Sequence, residues 1–181
     1  MLAPEEIRPL SRAEYDRLVD LDFFEDERVE LLRGVLVRMS PQGAAHANAP
    51  AKLMKRLILA LGDRAEVRAH SPLSLGEWSE PEPDIAVVAP GDYSKCHPTT
   101  ALLVVEAADS SLRKDRRIKA DLYAEHEIPE YWIVNLVEGV VEVHTLPASG
   151  RYTSITTHGA DRRVSLVAFP DVGVDAGELF A

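Results

Sequence analysis

The spacing of apolar positions changes along the chain, and each change marks an element. In SRAEYDRLVD, Ser11 with Glu14 three residues on has the form of a capping box, which predicts a helix from Ser11 to about Asp20. After the acidic FFEDE, the stretch RVELLRGVLVRM alternates Val29, Leu31, Val35 and Val37 with polar neighbours. That pattern predicts two strands joined by a tight turn at Arg33-Gly34. SPQGAAHAN reads as a small-residue loop, and AKLMKRLILAL places Leu53, Leu57, Ile58 and Leu61 at helical spacing in a helix that stops near Gly62.

Strand-like segments follow: EVRAH, PLSLGEW, DIAVV and ALLVVEA, separated by proline and glycine. The unbroken LLVV fits a central strand covered on both faces. A helix is predicted from about Leu112 to Glu127, then strands EYWIVN and VVEVHTL around a Glu138-Gly139 turn. RYTSITT and RVSLVAF suggest a smaller terminal pair. Helices and strands interleave without the regular alternation of a doubly wound fold. The expected class is therefore α/β of the mixed, α+β kind, with a mixed sheet flanked by helices.

Length and composition bound this picture. A chain of 181 residues has room for one domain spanning 1–181, with an ordinary 46% of hydrophobic residues. Cys96 is the single cysteine, so no internal disulfide forms. The start MLAPEEIRPL lacks the basic head and apolar core of a signal peptide, which gives a cytoplasmic expectation. Apolar runs such as ALLVV are too short to span a membrane. Twenty Lys and Arg against thirty Asp and Glu give a net charge of −10, which argues against nucleic acid as a partner unless there is a local exception.

Candidate chemistry begins with two carboxylates. Asp84 in EPEPDIAVV and Glu106 in ALLVVEAADSS each sit at the end of a strand-like apolar segment. Strands are about 4.8 Å apart, so two such groups can converge on one point. At about 4 Å they would repel by about 4 kcal/mol at an effective dielectric near 20, and a divalent cation such as Mg²⁺ relieves that repulsion. The alternative is that both are ordinary charged strand ends. In SLRKDRRIKADLYAEHE, Asp115, Lys119 and Tyr123 are spaced by four and share one helical face, with Ile118 and Leu122 as a separate apolar stripe. A lysine there would orient or deprotonate water, or stabilise charge on a phosphate. The alternative is an exposed Asp–Lys helix pair.

Arg113, Lys114, Arg116, Arg117 and Lys119 make five basic residues in seven, the one run dense enough to hold a phosphate backbone; such a run also serves as a solvated face. His46, His70, His97, His126, His144 and His158 show no zinc spacing, and there is no glycine-rich phosphate loop and no G-x-S-x-G elbow.

The order RVELLRG, a lone His46, EPDIAVV, LLVVEAADSSLRKDRRIKADLYAEHEIPEYWIVN and a C-terminal LF resembles the Uma family of putative restriction endonucleases, within the PD-(D/E)XK nuclease superfamily. The resemblance runs from about Glu14 to Phe180 and is strongest over Leu102 to Asn135. It implies a restriction endonuclease-like core with additional N- and C-terminal strands, hydrolysing phosphodiester bonds in DNA with Mg²⁺ or Mn²⁺. Asp84 and Glu106 would be the metal ligands, joined by the Ala107 carbonyl. The superfamily lysine normally stands two residues after the second acid, where this chain has Ala108, so the resemblance assigns it to Lys119. Glu30 would be the N-terminal acid serving a metal-bound water or a second metal, and Asp115 and Tyr123 would support the lysine. Arg113, Lys114, Arg116 and Arg117 would contact DNA phosphates, and His46 would be site-facing or structural. A homodimer is the expected assembly for cutting both strands. The rival readings are a catalytically silent nuclease fold acting as a DNA- or protein-interaction module, and a hydrolase of another phosphorylated substrate.

Overall fold

The computed structural model describes residues 8–39 and 43–181; residues 1–7 of the N-terminal segment and 40–42 of the expected loop lie outside the described residues. Helix α1 (Arg12–Asp20) carries the predicted capping box. Ser11 accepts from the Glu14 N–H, and the Glu14 carboxylate accepts from the Ser11 N–H. Strands β1 (Val29–Leu32) and β2 (Val35–Arg38) form the predicted hairpin, with Leu32 opposite Val35. Arg33 and Gly34 both have positive φ, 51° and 79°, the two-residue turn whose twist matches its strands. A Cβ at Gly34 would come within 2.4 Å of the Pro9 side chain, so the position needs glycine twice over.

The main sheet has six strands: β3 (Glu66–Ala69), β4 (Ile85–Val88), β5 (Leu103–Ala108), β6 (Glu130–Asn135), β7 (Val140–Ala148) and β8 (Arg151–Gly159), in that spatial order. Every pairing is antiparallel except β5 with β6. A parallel pair cannot be closed by a hairpin and needs a crossover. Here the crossover is helical: α3 (Leu112–Lys114), a π turn (Asp115–Lys119) and α4 (Ala120–Glu125). That connection lays a helix across one face of the sheet. Helix α2 (Ala44–Leu61) covers the other, burying Leu53, Leu57 and Leu61 against Ile85, Val87, Leu103 and Val105. The small pair β9 (Arg163–Ser165) and β10 (Gly173–Asp175), with α5 (Gly177–Phe180), closes the same core as α2. The mixed sheet flanked by helices, with extra N- and C-terminal strands, is the architecture expected from the sequence.

Four local expectations are corrected. Helix α2 begins at Ala44, within the segment expected to be a loop, because Ala44, Ala45, Ala47, Ala49 and Ala51 are strong helix formers, not flexible spacers. Pro50 is accommodated inside it and removes only the N–H that would return to His46. PLSLGEW is not a strand: Leu75 and Ser79 form a lone bridge around a turn at positive-φ Gly76. RYTSITT does not pair with RVSLVAF; it is β8, the edge strand beside β7, and Arg163–Ser165 pairs with β10 instead. Finally, Ile118 does not join Leu122 in an apolar stripe. Ile118 lies ahead of the stretch of α4 that packs against β7 and β8 and is 44% exposed, while Leu122, within that stretch, is buried.

Helix α1 docks on the loop before β4. The Arg12 N–H donates to the Glu77 carbonyl, and the Arg12 side chain donates to the Gly76 carbonyl and Ser74 hydroxyl. Glu80 is buried beneath this contact, accepting from Ser74 at 3.2 Å with Arg12 at 3.9 Å. Burial, then the charge of Asp16, pushes its carboxyl up to about 7.

Two predictions follow from this packing. Leu57→Ala is expected to cost about 2–5 kcal/mol in urea unfolding, whereas Leu59→Ala, at a side chain 71% exposed, stays within about 0.5 kcal/mol. The Glu80 carboxyl holds its proton more tightly folded than unfolded, so its contribution to stability is present below about 4.5 and lost as pH rises toward about 7. Melting temperatures of Glu80→Gln minus those of the parent are therefore expected to rise between those limits. A flat difference would show that Glu80 does not titrate there.

Candidate active site

Register brings the two carboxylates together. Ile85 pairs with Val105 and Ala86 with Val104, so the next step along the same ladder sets Asp84 opposite Glu106. Ala86, Val88, Val104 and Ala108 pack in the core under α4, and alternation along each strand points Asp84 and Glu106 to that same face. The Ala107 N–H donates to Asp84 Oδ2 at 2.7 Å, tying the end of β5 to the start of β4. N–H and C=O of one strand residue project to the same neighbour, so the Ala107 carbonyl also lies on the Asp84 side, while the Ala108 carbonyl on the opposite side accepts from Leu136.

The crossover supplies the cations and the phenol. Lys119 is buried in the π turn and donates to Glu106 Oε1 at 2.7 Å; it also pairs with Glu30 Oε2 at 2.9 Å. Tyr123, one turn on, donates to the same Glu106 Oε1 at 2.9 Å. Both contacts use one oxygen of Glu106, which leaves Oε2 for a ligand. Asp115 is buried one turn earlier, accepting from the Ser111 hydroxyl, and its carbonyl accepts from Tyr131 at 3.4 Å. Glu30, on β1, is fully buried, with Lys114 on Oε1 at 2.9 Å and Lys119 on Oε2. His46, carried on α2, places Nε2 3.5 Å from Asp84 Oδ2, and His70 Nδ1 lies 3.6 Å from Asp84 Oδ1.

These groups frame a cleft of about 80 Å³ lined by His46, Asp84, Glu106, Lys114, Asp115 and Lys119, with Asp109 and two serines at its rim. Four buried carboxylates, Glu30, Asp84, Glu106 and Asp115, face two lysines, so the cluster carries two negative charges in excess when all are ionised. Its titration reflects that imbalance. Burial pushes Glu106 up to about 8, and Asp84, Asp115 and Glu30 add to the effect of burial against the pull of Lys119. Burial opposes the charge on Lys119, but Glu106, Glu30 and Asp115 outweigh it and hold the ammonium protonated. Glu30 is held below the usual carboxylate range because Lys119 and Lys114 overcome its burial. The hydrogen bond to Asp84 raises His46.

The donor set suits a hard divalent cation. Mg²⁺ takes oxygen ligands, typically one or two carboxylates, and keeps several waters. Asp84, Glu106 and the Ala107 carbonyl match that pattern, and among the described residues no group of three His, Cys, Asp or Glu is set up as a ready-made metal cage.

The structure thus gathers Asp84, Glu106, Lys119, Glu30, Asp115 and Tyr123. It does not present the basic run as one surface. Lys114 is committed to Glu30, and Arg116 makes a two-pronged pair with Glu142 on β7 that is also close to Glu138. Only Arg113 and Arg117 of that run are exposed with no ion pair among the described residues. Glu30 does not line the cleft but stands behind the lysines. Sequence reading missed Ser111, Tyr131 and His70. Ser111, four residues before Asp115, was the one with a readable signal.

A family model described as Uma2, putative restriction endonuclease, matches residues 12–177. No curated protein shows a significant match. Among solved structures, a putative nuclease belonging to DUF820 from Anabaena variabilis superposes with a TM-score of 0.74 at 15% identity, over 95% of this chain and 98% of that one. At that identity the likeness speaks for the fold.

Lys119→Met would strand Glu30 and Glu106 without their shared cation and is expected to destabilise the protein by about 3–5 kcal/mol in chemical unfolding. Adding Glu106→Gln to it should recover part of the loss. Additive losses in the double variant would mean the two groups are not coupled.

Proposed function

The chain belongs to the Uma2 family of putative restriction endonucleases, and from that premise we propose that it is a metal-dependent endonuclease hydrolysing phosphodiester bonds in DNA. The observation that carries this reading is the cross-strand pair Asp84 and Glu106 at the wall of an open cleft, with a buried lysine on the second acid.

Asp84, Glu106 and the Ala107 carbonyl would hold Mg²⁺ or Mn²⁺, which when bound supplies a Lewis acid for a phosphodiester oxygen and lowers the pKa of water. Lys119 acts as a fixed positive charge and hydrogen-bond donor toward the phosphate or the attacking water. The three carboxylates that keep it protonated leave no part for it as a proton acceptor. Glu30 is a positioning residue: with both oxygens held by Lys114 and Lys119, it fixes the lysines and does not itself reach the cleft. Tyr123 holds the Glu106 carboxylate at one oxygen, and Asp115 adds negative charge behind Lys119. Arg113 and Arg117, with Lys114 and Arg116 nearer the body of the protein, form the basic side on which DNA phosphates would lie. A homodimer would place two such clefts on the two strands, and a cytoplasmic location would give access to DNA. Among the described residues no helix is long and apolar enough to cross a membrane.

The test is cleavage of duplex DNA with Mg²⁺ or Mn²⁺. The parent is expected to cut and to stop when EDTA is added. Asp84→Asn and Glu106→Gln should lose activity by at least about 100-fold, and Lys119→Gln by about 100- to 1000-fold, the range for removing one preorganised charge stabiliser. Equal cleavage by parent and Asp84→Asn, or none by the parent with either metal, would sink the proposal.

A further inference from the structure

Beside the cleft lies a second, larger depression that the sequence did not announce. It has a volume of about 570 Å³ and is lined by Arg38, Arg113, Arg117 and Ile118, and it shares Ser110, Ser111 and Lys114 with the cleft. Cleft and groove are therefore neighbours with a common wall. Arg38 ends β2, next to Met39 on the cleft wall, and belongs to the hairpin whose other strand sends Glu30 between the lysines. Arg113 and Arg117 are four residues apart on the crossover, on one side of it. The three arginines thus reach one groove from two elements.

Their state of pairing sets them apart from the chain's other cations near the site. Lys114, Arg116 and Lys119 are held by Glu30, Glu142 and Glu106. Arg113 and Arg117 have no acidic partner among the described residues, and Arg38 has only the exposed Glu27, at 2.8 Å. An exposed pair of that kind exchanges readily. Three guanidiniums around one groove, in a chain of net charge −10, form a local concentration of positive charge with the planar, forked geometry suited to phosphate.

We propose that Arg38, Arg113 and Arg117 grip the backbone phosphates of duplex DNA on the side of the cleft where this groove opens, so that the duplex is held from one flank of the scissile bond. This rests on the nuclease reading for its substrate and adds Arg38, a residue with no part in the site described above.

The test measures binding apart from chemistry: anisotropy of a short fluorescein-labelled duplex in EDTA, titrated over a range of salt. The comparison is among the parent, Arg38→Ala/Arg113→Ala/Arg117→Ala, and a charge-matched control. The control is Lys55→Ala/Arg151→Ala/Arg162→Ala, whose sites are exposed and line neither cleft nor groove. The groove variant is expected to bind at least about 10-fold more weakly, with the slope of log K against log salt reduced by about 0.9 for each lost contact, while the control keeps the parent's slope. Equal weakening of both variants, an unchanged groove variant, or a parent that does not bind the duplex would overturn the proposal. A parent that binds through the groove yet cuts nothing with Mg²⁺ or Mn²⁺ would overturn the nuclease reading and leave the groove standing. A parent that cuts while the groove variant binds normally would do the reverse.

Discussion

The Lys119 ammonium, held without solvent between Glu106 and Glu30, is the interaction on which the rest of the site depends. It joins three parts of the fold: the central strand β5, the crossover helix above it and the N-terminal hairpin. A buried charge is tolerated only where its partners and geometry offset the loss of water, which is a demanding condition for a lysine exposed by only 2%. The hairpin is therefore more than an N-terminal decoration. Without the Glu30 carboxylate from β1, Lys119 would keep its ion pair with Glu106 and the charge of Asp115 behind it but lose its tie to the hairpin, and Lys114 would be free to turn toward solvent.

The same arrangement sorts the charges of an acidic chain by place. Negative charge is drawn inward, where four carboxylates meet two lysines, an excess of two when all are ionised, and burial of Glu106 lifts its carboxyl to about 8 and so reduces that excess. Positive charge that is not consumed there is left at the groove mouth. The overall balance says little about the field met by a ligand in the cleft, because charges beyond about 8 Å are largely screened at physiological salt.

Much of this was readable from residue order, for identifiable reasons. Asp84 and Glu106 could be found because each is a lone acid in or beside an apolar strand, and strands carry their register in their alternation. Lys119 and Tyr123 could be found because a spacing of four survives even where the helix widens into a π turn. What failed did so where tertiary context overrides local pattern. The alanines before Pro50 read as a small-residue loop, a pattern that hides how His46 rides on a helix and leans on Asp84. Five basic residues in seven looked like one surface, because spacing along a helix cannot show which cations a distant strand will claim. Glu142 on β7 and Glu30 on β1 claim two of them. RYTSITT joined the main sheet because β7 offers an edge nine residues long, a better partner than the three-residue β9.

The π turn leaves the crossover helix with one residue more than a regular helix would hold. Since each residue of a regular α-helix advances roughly 100° about the axis, a step of four overshoots one turn by about 40°, and Ser111, Asp115, Lys119 and Tyr123 would drift through about 120° over three such steps. The wider π turn holds more residues per turn and takes back part of that drift, so the irregular backbone keeps these four side chains closer to one line along the crossover.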